Sequence, residues 1–238
     1  MGNIAISRRA AASALALLGI GPLRSGPLQG ESIQGSPAQG SMPRQRPMLL
    51  AAYGDSLVHG YGLAPGDTLP ERLEAALRQE GWEVTIVNAG NSGDTTASGL
   101  ARLDWTLAEP PDALLLALGA NDGLRGLDPA ETEANLRAIL EILNRRQLPV
   151  QLAGMLAPRN LGPDYAAAFD PIYRKLAREY DLILTPFLLQ GVALVPELNQ
   201  ADGIHPNAEG VDVMVQTLLP GTRALLRRAL QGKQPQGS

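Results

Sequence analysis

Ser56, His205 and Asp202 are the side chains of this sequence whose types and settings can do chemistry together. Ser56 stands in Gly54-Asp55-Ser56-Leu57 at the end of an apolar run, the setting of a serine on a strand-to-helix turn. A serine hydroxyl is a poor nucleophile until a base takes its proton. The chain holds two histidines. His59 lies on what reads as the same helical turn as Ser56 and is expected to be an exposed surface residue. His205 sits in Asp202-Gly203-Ile204-His205-Pro206-Asn207, where Gly203 permits a tight turn and Pro206 fixes the chain as it enters a helix. A carboxylate three residues before an imidazole can hold its tautomer and stabilise the imidazolium formed on proton transfer. General-base assistance of this kind is worth about 10²–10⁴ in rate.

Acyl transfer also needs donors aimed at the developing oxyanion. Asn121, in Gly119-Ala120-Asn121-Asp122, offers a side-chain amide. The backbone N–H of Gly93, in Asn91-Ser92-Gly93-Asp94-Thr95, and that of Ser56 supply two more, and a glycine at 93 lets the backbone approach a substrate. Taken singly, each of these residues fits ordinary turn chemistry at strand ends. Their joint presence points to an ester-cleaving site.

The elements that must position them follow from apolar patterning. Continuous apolar runs over 48–53 and 113–118, and the largely apolar segments 83–87, 150–156 and 182–184, read as buried strands. Thr68-Leu69-Pro70-Glu71 has the form of a capping box before Leu69, Leu73, Ala76 and Leu77. Asp94-Thr95 caps a helix carrying Leu100, Leu103 and Leu107, stopped by Pro110-Pro111. Asp128-Pro129-Ala130-Glu131 opens a helix whose stripe is Leu136, Ile139, Leu140 and Leu143. Asp170-Pro171 opens another with Ile172, Leu176 and Ala177 inward, and a closing helix is expected over 206–219. Five apolar strands separated by helices argue for an α/β fold with a parallel sheet covered on both faces. Ligands of such sheets sit outside the carboxyl ends of the strands, where Ser56, Gly93 and Asn121 fall.

Composition bounds the partners. A chain of 238 residues, 45% hydrophobic and 18% charged, fits one globular domain with length to spare. A net charge of −4 and the lack of a basic cluster interleaved with aromatics leave nucleic-acid binding without support. With no cysteine there is no disulfide, thiolate nucleophile or Cys-ligated zinc. Residues 1–47 differ from the rest: Ser7-Arg8-Arg9 precedes an apolar run over 10–20, followed by a Gly/Pro/Ser/Gln-rich stretch. That run suits the core of an export signal and is too short for a membrane span, which needs roughly 20 apolar residues. The expected organisation is an export signal and disordered linker over 1–47, a folded domain over 48–230 and a polar tail over 231–238.

Gly-Asp-Ser-Leu at 54–57, Ser-Gly-Asp-Thr at 92–95, Gly-Ala-Asn-Asp at 119–122 and Asp-Gly-Ile-His-Pro at 202–206 match, in order, the blocks of the SGNH hydrolases, the superfamily of GDSL esterases and lipases. The chain resembles in particular the bacterial periplasmic thioesterase, lysophospholipase and arylesterase branch, over about 49–215. The resemblance implies a flavodoxin-like three-layer α/β/α fold with a five-stranded parallel sheet, no cofactor, and hydrolysis of carboxylic esters through an acyl-serine. It implies Ser56 as nucleophile, His205 as base, Asp202 as its orienter, and Ser56, Gly93 and Asn121 as the oxyanion hole. It marks Gly123, Leu124 and Arg125 as a substrate loop that shifts on binding. It further implies a small ester or thioester as substrate, no stable membrane insertion, a monomer, and export to the periplasm, the cytoplasm being the alternative. Ala120 replaces a glycine common in the superfamily, which matters only if that position needs positive φ.

Other readings are weaker. An α/β-hydrolase of the Gly-x-Ser-x-Gly type would need glycine at position 58, which is Val58. A carbohydrate O-acetylesterase would use the same site on the same fold and stands as the runner-up. A non-catalytic binding module should have lost Ser56, His205 or Asn121, and a metal site from Asp202, His205 and His59 lacks a credible ligand set.

Overall fold

The computed structural model describes residues 46–232. The expected export signal and linker, apart from Arg46 and Pro47 at its end, and all but the first two residues of the expected polar tail, lie outside the described residues. Five strands form one parallel sheet: β1 (Met48–Gly54), β2 (Val84–Gly90), β3 (Ala113–Ala117), β4 (Val150–Ala153) and β5 (Ile183–Thr185), in the order β2-β1-β3-β4-β5. β3 and β4 are buried along their whole length and β1 nearly so, as continuous apolar runs in a sheet covered on both faces must be. The edge strands β2 and β5 are partly exposed. The described chain also holds two short 3₁₀ turns (Arg159–Leu161 and Pro196–Leu198) and eight α-helices: α1 (Ser56–His59), α2 (Leu69–Gln79), α3 (Thr96–Thr106), α4 (Ala120–Leu124), α5 (Pro129–Arg145), α6 (Pro163–Phe169), α7 (Ile172–Glu179) and α8 (Ala208–Gly232). Helix α2 packs on α8, while α3 and α7 both pack on α5, giving the helical layers of an α/β/α sandwich.

The capping signals act where expected. Thr68 and Glu71 form the capping box of α2, and Asp128 accepts the N–H of Ala130 ahead of Pro129 in α5. Leu136, Ile139, Leu140 and Leu143 are buried together. Several boundaries differ from the sequence reading. β2 runs on to Gly90, past the expected end at 87, because its ladder with β1 continues through Ala52↔Asn88, Tyr53↔Ala89 and Gly54↔Gly90. β4 stops at Ala153 rather than 156, where Gly154 turns to hydrogen-bond the end of β5 and the loop beyond it. β5 covers 183–185, one residue later than expected. α8 begins at Ala208 and passes through Pro220 to Gly232, well beyond the expected stop at 219. Its buried stripe continues as Leu218, Thr222, Leu225, Leu226 and Ala229, and that packing outweighs the hydrogen bond a proline forfeits.

The order β2-β1-β3 makes the carboxyl ends of β1 and β3 a topological switch point. Gly54 pairs there with Gly90 on one side and Ala117 on the other. The fit is close: a Cβ on Gly54 would collide with Val58 Cγ2 and fall 2.5 Å from the carbonyl oxygen of Ala117. Gly54→Ala is therefore expected to lower stability by about 1–3 kcal/mol through overpacking, read as a drop in the thermal midpoint. An unchanged midpoint would show that β1 and α1 have slack at their junction.

Candidate active site

Each candidate side chain is set by a short piece of local structure. Ser56 is the first residue of α1, and Asp55 caps that helix by accepting the N–H of Leu57 at 3.0 Å. The turn ends at Gly60, leaving Ser56 half-buried at the carboxyl end of β1. Asn121 lies in α4, directly after β3, and donates one amide hydrogen to the carbonyl of Asp94 at 2.9 Å. Its second amide hydrogen has no acceptor among the described residues. Gly93 has φ +87, which a residue with a side chain adopts only at a cost, and its carbonyl accepts from Arg125 Nη2 at 2.9 Å. No protein acceptor is found among the described residues for the N–H of Gly93 or of Ser56. Ala120 starts α4 with ordinary helical geometry, because the positive φ falls one residue earlier, on Gly119.

His205 and Asp202 share a loop closed on itself. Asn199 bridges Pro206 across it, and Gln200 N–H donates to the carbonyl of His205 at 2.7 Å. The Gln200 side chain donates to the carbonyls of Tyr61 and Pro206 at 2.8 and 2.9 Å, fixing this loop against the segment after α1. Asp202 Oδ1 accepts the N–H groups of Ile204 and His205 at 2.9 and 3.0 Å, and its Oδ2 lies 2.6 Å from His205 Nδ1. His205 Nε2 is 3.0 Å from Ser56 Oγ. Residues 149 positions apart in sequence thus meet in one carboxylate–imidazole–hydroxyl line. The imidazole hydrogen bond, reinforced by those two backbone N–H groups, holds the Asp202 carboxyl down at about 2, so it stays ionised across the working range.

The remaining expected residues divide. Gly123 and Leu124 form the last turn of α4 rather than a loop, and Arg125 caps it. Leu124 is half-exposed and Arg125 reaches Gly93, so both stand at the rim. His59 is exposed, as expected, with Nδ1 3.4 Å from the carbonyl of Gly90 and no part in the line. Among the described residues no group of three or more His, Asp or Glu side chains is placed to hold a metal ion.

Three further residues at the site are not singled out by the sequence reading. Tyr61 lays its half-exposed ring beside the imidazole of His205, 4.6 Å between centroids. Gln200 is visible only through its partners, 139 residues distant in the case of Tyr61. Arg102 lies on α3 and bonds Asp94; a lone cation on a helix near Leu100 and Leu103 was the available hint.

A parallel sheet with this line at its switch point is the layout of a hydrolase that works through serine. The sequence matches the GDSL-like Lipase/Acylhydrolase family over residues 52–213. It is 39% identical to Esterase TesA of Pseudomonas aeruginosa over 178 residues, 74% of this chain and 89% of that protein. It is 40% identical to Thioesterase 1/protease 1/lysophospholipase L1 of Escherichia coli, over 72% of this chain and 83% of that protein. The structure superimposes on AlinE4, an SGNH-hydrolase family esterase, with a TM-score of 0.65 and 47% identity, covering 78% of this chain and 99% of that one. The protein belongs to the GDSL lipase/acylhydrolase family and is a serine hydrolase of ester bonds.

Asp55 is fully buried, and its Oδ2 has no hydrogen-bond partner among the described residues. Burial away from water pushes its carboxyl up to about 7 from an ordinary 3.8, with the nearby Asp122 and Asp94 charges adding to the rise. The folded chain then holds a proton there that the unfolded chain has lost, so this contribution to stability falls as pH rises from about 4 to about 7. Asp55→Asn should flatten the thermal midpoint against pH across that interval relative to wild type. Parallel midpoint curves for the two proteins would refute the assignment.

Proposed function

We propose that Ser56 is the nucleophile, His205 the general base and Asp202 the group that orients and stabilises the imidazolium. The observation that carries this is the unbroken line from Asp202 Oδ2 through both ring nitrogens to Ser56 Oγ, at 2.6 and 3.0 Å. His205 takes the hydroxyl proton as Oγ adds to the ester carbonyl carbon. The tetrahedral oxyanion is received by the N–H groups of Ser56 and Gly93 and the free amide hydrogen of Asn121. His205 then returns the proton to the departing alkoxide, phenoxide or thiolate. Water, activated by the same imidazole, releases the acid from the acyl-serine.

The substrate class that fits is a small carboxylic ester, aryl or alkyl, extending to acyl thioesters and lysophospholipids. Half-exposed Tyr61, Leu124 and Ile204 supply apolar surface beside His205 and Arg125 for an acyl or aryl group. The names of the relatives, an esterase and a thioesterase/lysophospholipase, support the same range. The protein acts as a monomer, exported under the direction of Ser7-Arg8-Arg9 and the apolar run that follows. Among the described residues no helix is long and apolar enough to cross a membrane.

Ser56→Ala and His205→Ala should each remove p-nitrophenyl butyrate hydrolysis while the far-ultraviolet dichroism is kept. Asn121→Ala should slow turnover about 10²–10³-fold. A fluorophosphonate should modify the chain once, at Ser56. Full activity in the Ser56 or His205 variant, or labelling at another serine, would overturn the assignment. Rates over acyl lengths and leaving groups, with an acetylated sugar among them, fix the preferred ester.

A further inference from the structure

The three oxyanion donors come from three separate segments, and one guanidinium outside the proposed machinery touches the supports of all of them. Arg102 projects from α3 toward the carboxyl ends of the sheet with its side chain only 21% exposed. Its Nε donates to Asp94 Oδ2 at 2.5 Å. Its Nη2 donates to two strand-end carbonyls, Gly54 at 2.9 Å and Ala89 at 3.0 Å. Its Nη1 reaches Thr106 Oγ1 at 3.2 Å, and the guanidinium carbon lies 4.1 Å from the centroid of the Tyr53 ring.

Those acceptors lead to the donors. Gly54 is two residues before Ser56, and its carbonyl also takes the N–H of Asn91 at 2.9 Å. Ala89 precedes the segment that carries Gly93. Asp94 follows Gly93 directly, accepts Asn91 Nδ2 at 2.7 Å on its other oxygen, and offers its backbone carbonyl to the Asn121 amide. The sheet does not need this clamp for its own pairing, since the ladder already aligns β1 and β2 as far as Gly54↔Gly90. What Arg102 adds is a link from these strand ends to Asp94, beyond the ladder, on the segment that bears Gly93 and anchors Asn121.

We propose that Arg102 is a positioning residue for oxyanion stabilisation, setting through Asp94 and the carbonyls of Gly54 and Ala89 how the N–H groups of Ser56, Gly93 and Asn121 converge. It touches no reacting atom. The role needs a planar fork that serves three differently placed acceptors, which a lysine ammonium cannot reproduce. The inference rests on the oxyanion hole assigned above.

The test is a double-mutant cycle of Arg102→Lys and Asn121→Ala, with kcat and KM on p-nitrophenyl butyrate measured below the thermal midpoint of every variant. Arg102→Lys should lower kcat about 10–100-fold, the scale of a small misplacement of catalytic groups, with KM within about twofold. Combined with Asn121→Ala it should cost far less than the product of the two single losses, because both changes disable one device. Asp94→Asn, nearly isosteric, should repeat the kcat loss and keeps the question open to an answer if Arg102→Lys does not fold. Wild-type kcat in Arg102→Lys or Asp94→Asn, a loss confined to KM, or strictly multiplicative effects with Asn121→Ala would overturn the positioning role. Asn121→Ala with wild-type kcat would instead bring down the oxyanion assignment itself.

Discussion

The approach of β1 to its two neighbours at Gly54 is the constraint on which the site depends. A parallel ladder brings Gly54, Gly90 and Ala117 to one level, so the loops that leave these strands start side by side. No side chain fits at 54 between Val58 and the Ala117 carbonyl, and α1 can therefore begin immediately. Ser56 becomes the first residue of a helix seated on the sheet rather than a point on a wandering loop. The hydroxyl inherits the rigidity of the core, and so do the proposed oxyanion donors after β2 and β3. Orientation of this kind lowers a barrier without any new chemistry, because the entropy of alignment is lost during folding rather than during reaction.

Charge is distributed unevenly around that point. Asp202 is on the surface side, with its side chain 37% exposed, and keeps its charge through direct hydrogen bonds. Asp55, Asp94 and Asp122 are buried on the inner side. Each interior carboxyl is handled differently. Asp94 has the Arg102 guanidinium and Asn91; Asp122 has the N–H and hydroxyl of Thr96, and the hydroxyl of Thr132. Asp55 has a single backbone N–H and responds to desolvation by holding its proton longer. A buried carboxyl that can stay neutral spares the proposed nucleophile an adjacent negative charge, which would oppose formation of an oxyanion.

Much of this was legible from residue types, and the exceptions have a common cause. β1, β3 and α5 are spelled out locally, by unbroken apolar runs and by Asp128-Pro129 with a four-residue stripe. Ser56, Gly93, Asn121, Asp202 and His205 stood out because turn-forming neighbours surround side chains, or at Gly93 a backbone N–H, capable of chemistry. α4 was not foreseen, since five residues containing Asn and Gly have no periodicity to detect. The passage of α8 through Pro220 was hidden because local rules stop a helix there, while the packing that carries it onward is tertiary. Arg102, Tyr61 and Gln200 belong to the same class. The Arg102–Gly54 bond spans 48 residues and Gln200–Tyr61 139, and even the nearer Arg102–Asp94 bond joins a helix to a loop that no local rule pairs.

That division bears on how such a site is maintained. The groups proposed to react sit on segments that are short and internally closed: a four-residue helix for Ser56 and a bridged turn for Asp202 and His205. α1 is seated by its buried Leu57 and Val58, and polar side chains add to what the core holds. Gln200 ties the histidine turn to Tyr61, and Arg102 ties the strand ends to Asp94. Both use polar atoms at the margin of the core, where unmade hydrogen bonds are costly and geometry is correspondingly sharp. The apolar core supplies the stability of the fold, while the few polar ties at its edge set distances on which catalysis depends, a misplacement of about 1 Å costing up to about 10²-fold. A substitution at a tie can therefore leave the fold almost untouched and still misplace the proposed donors.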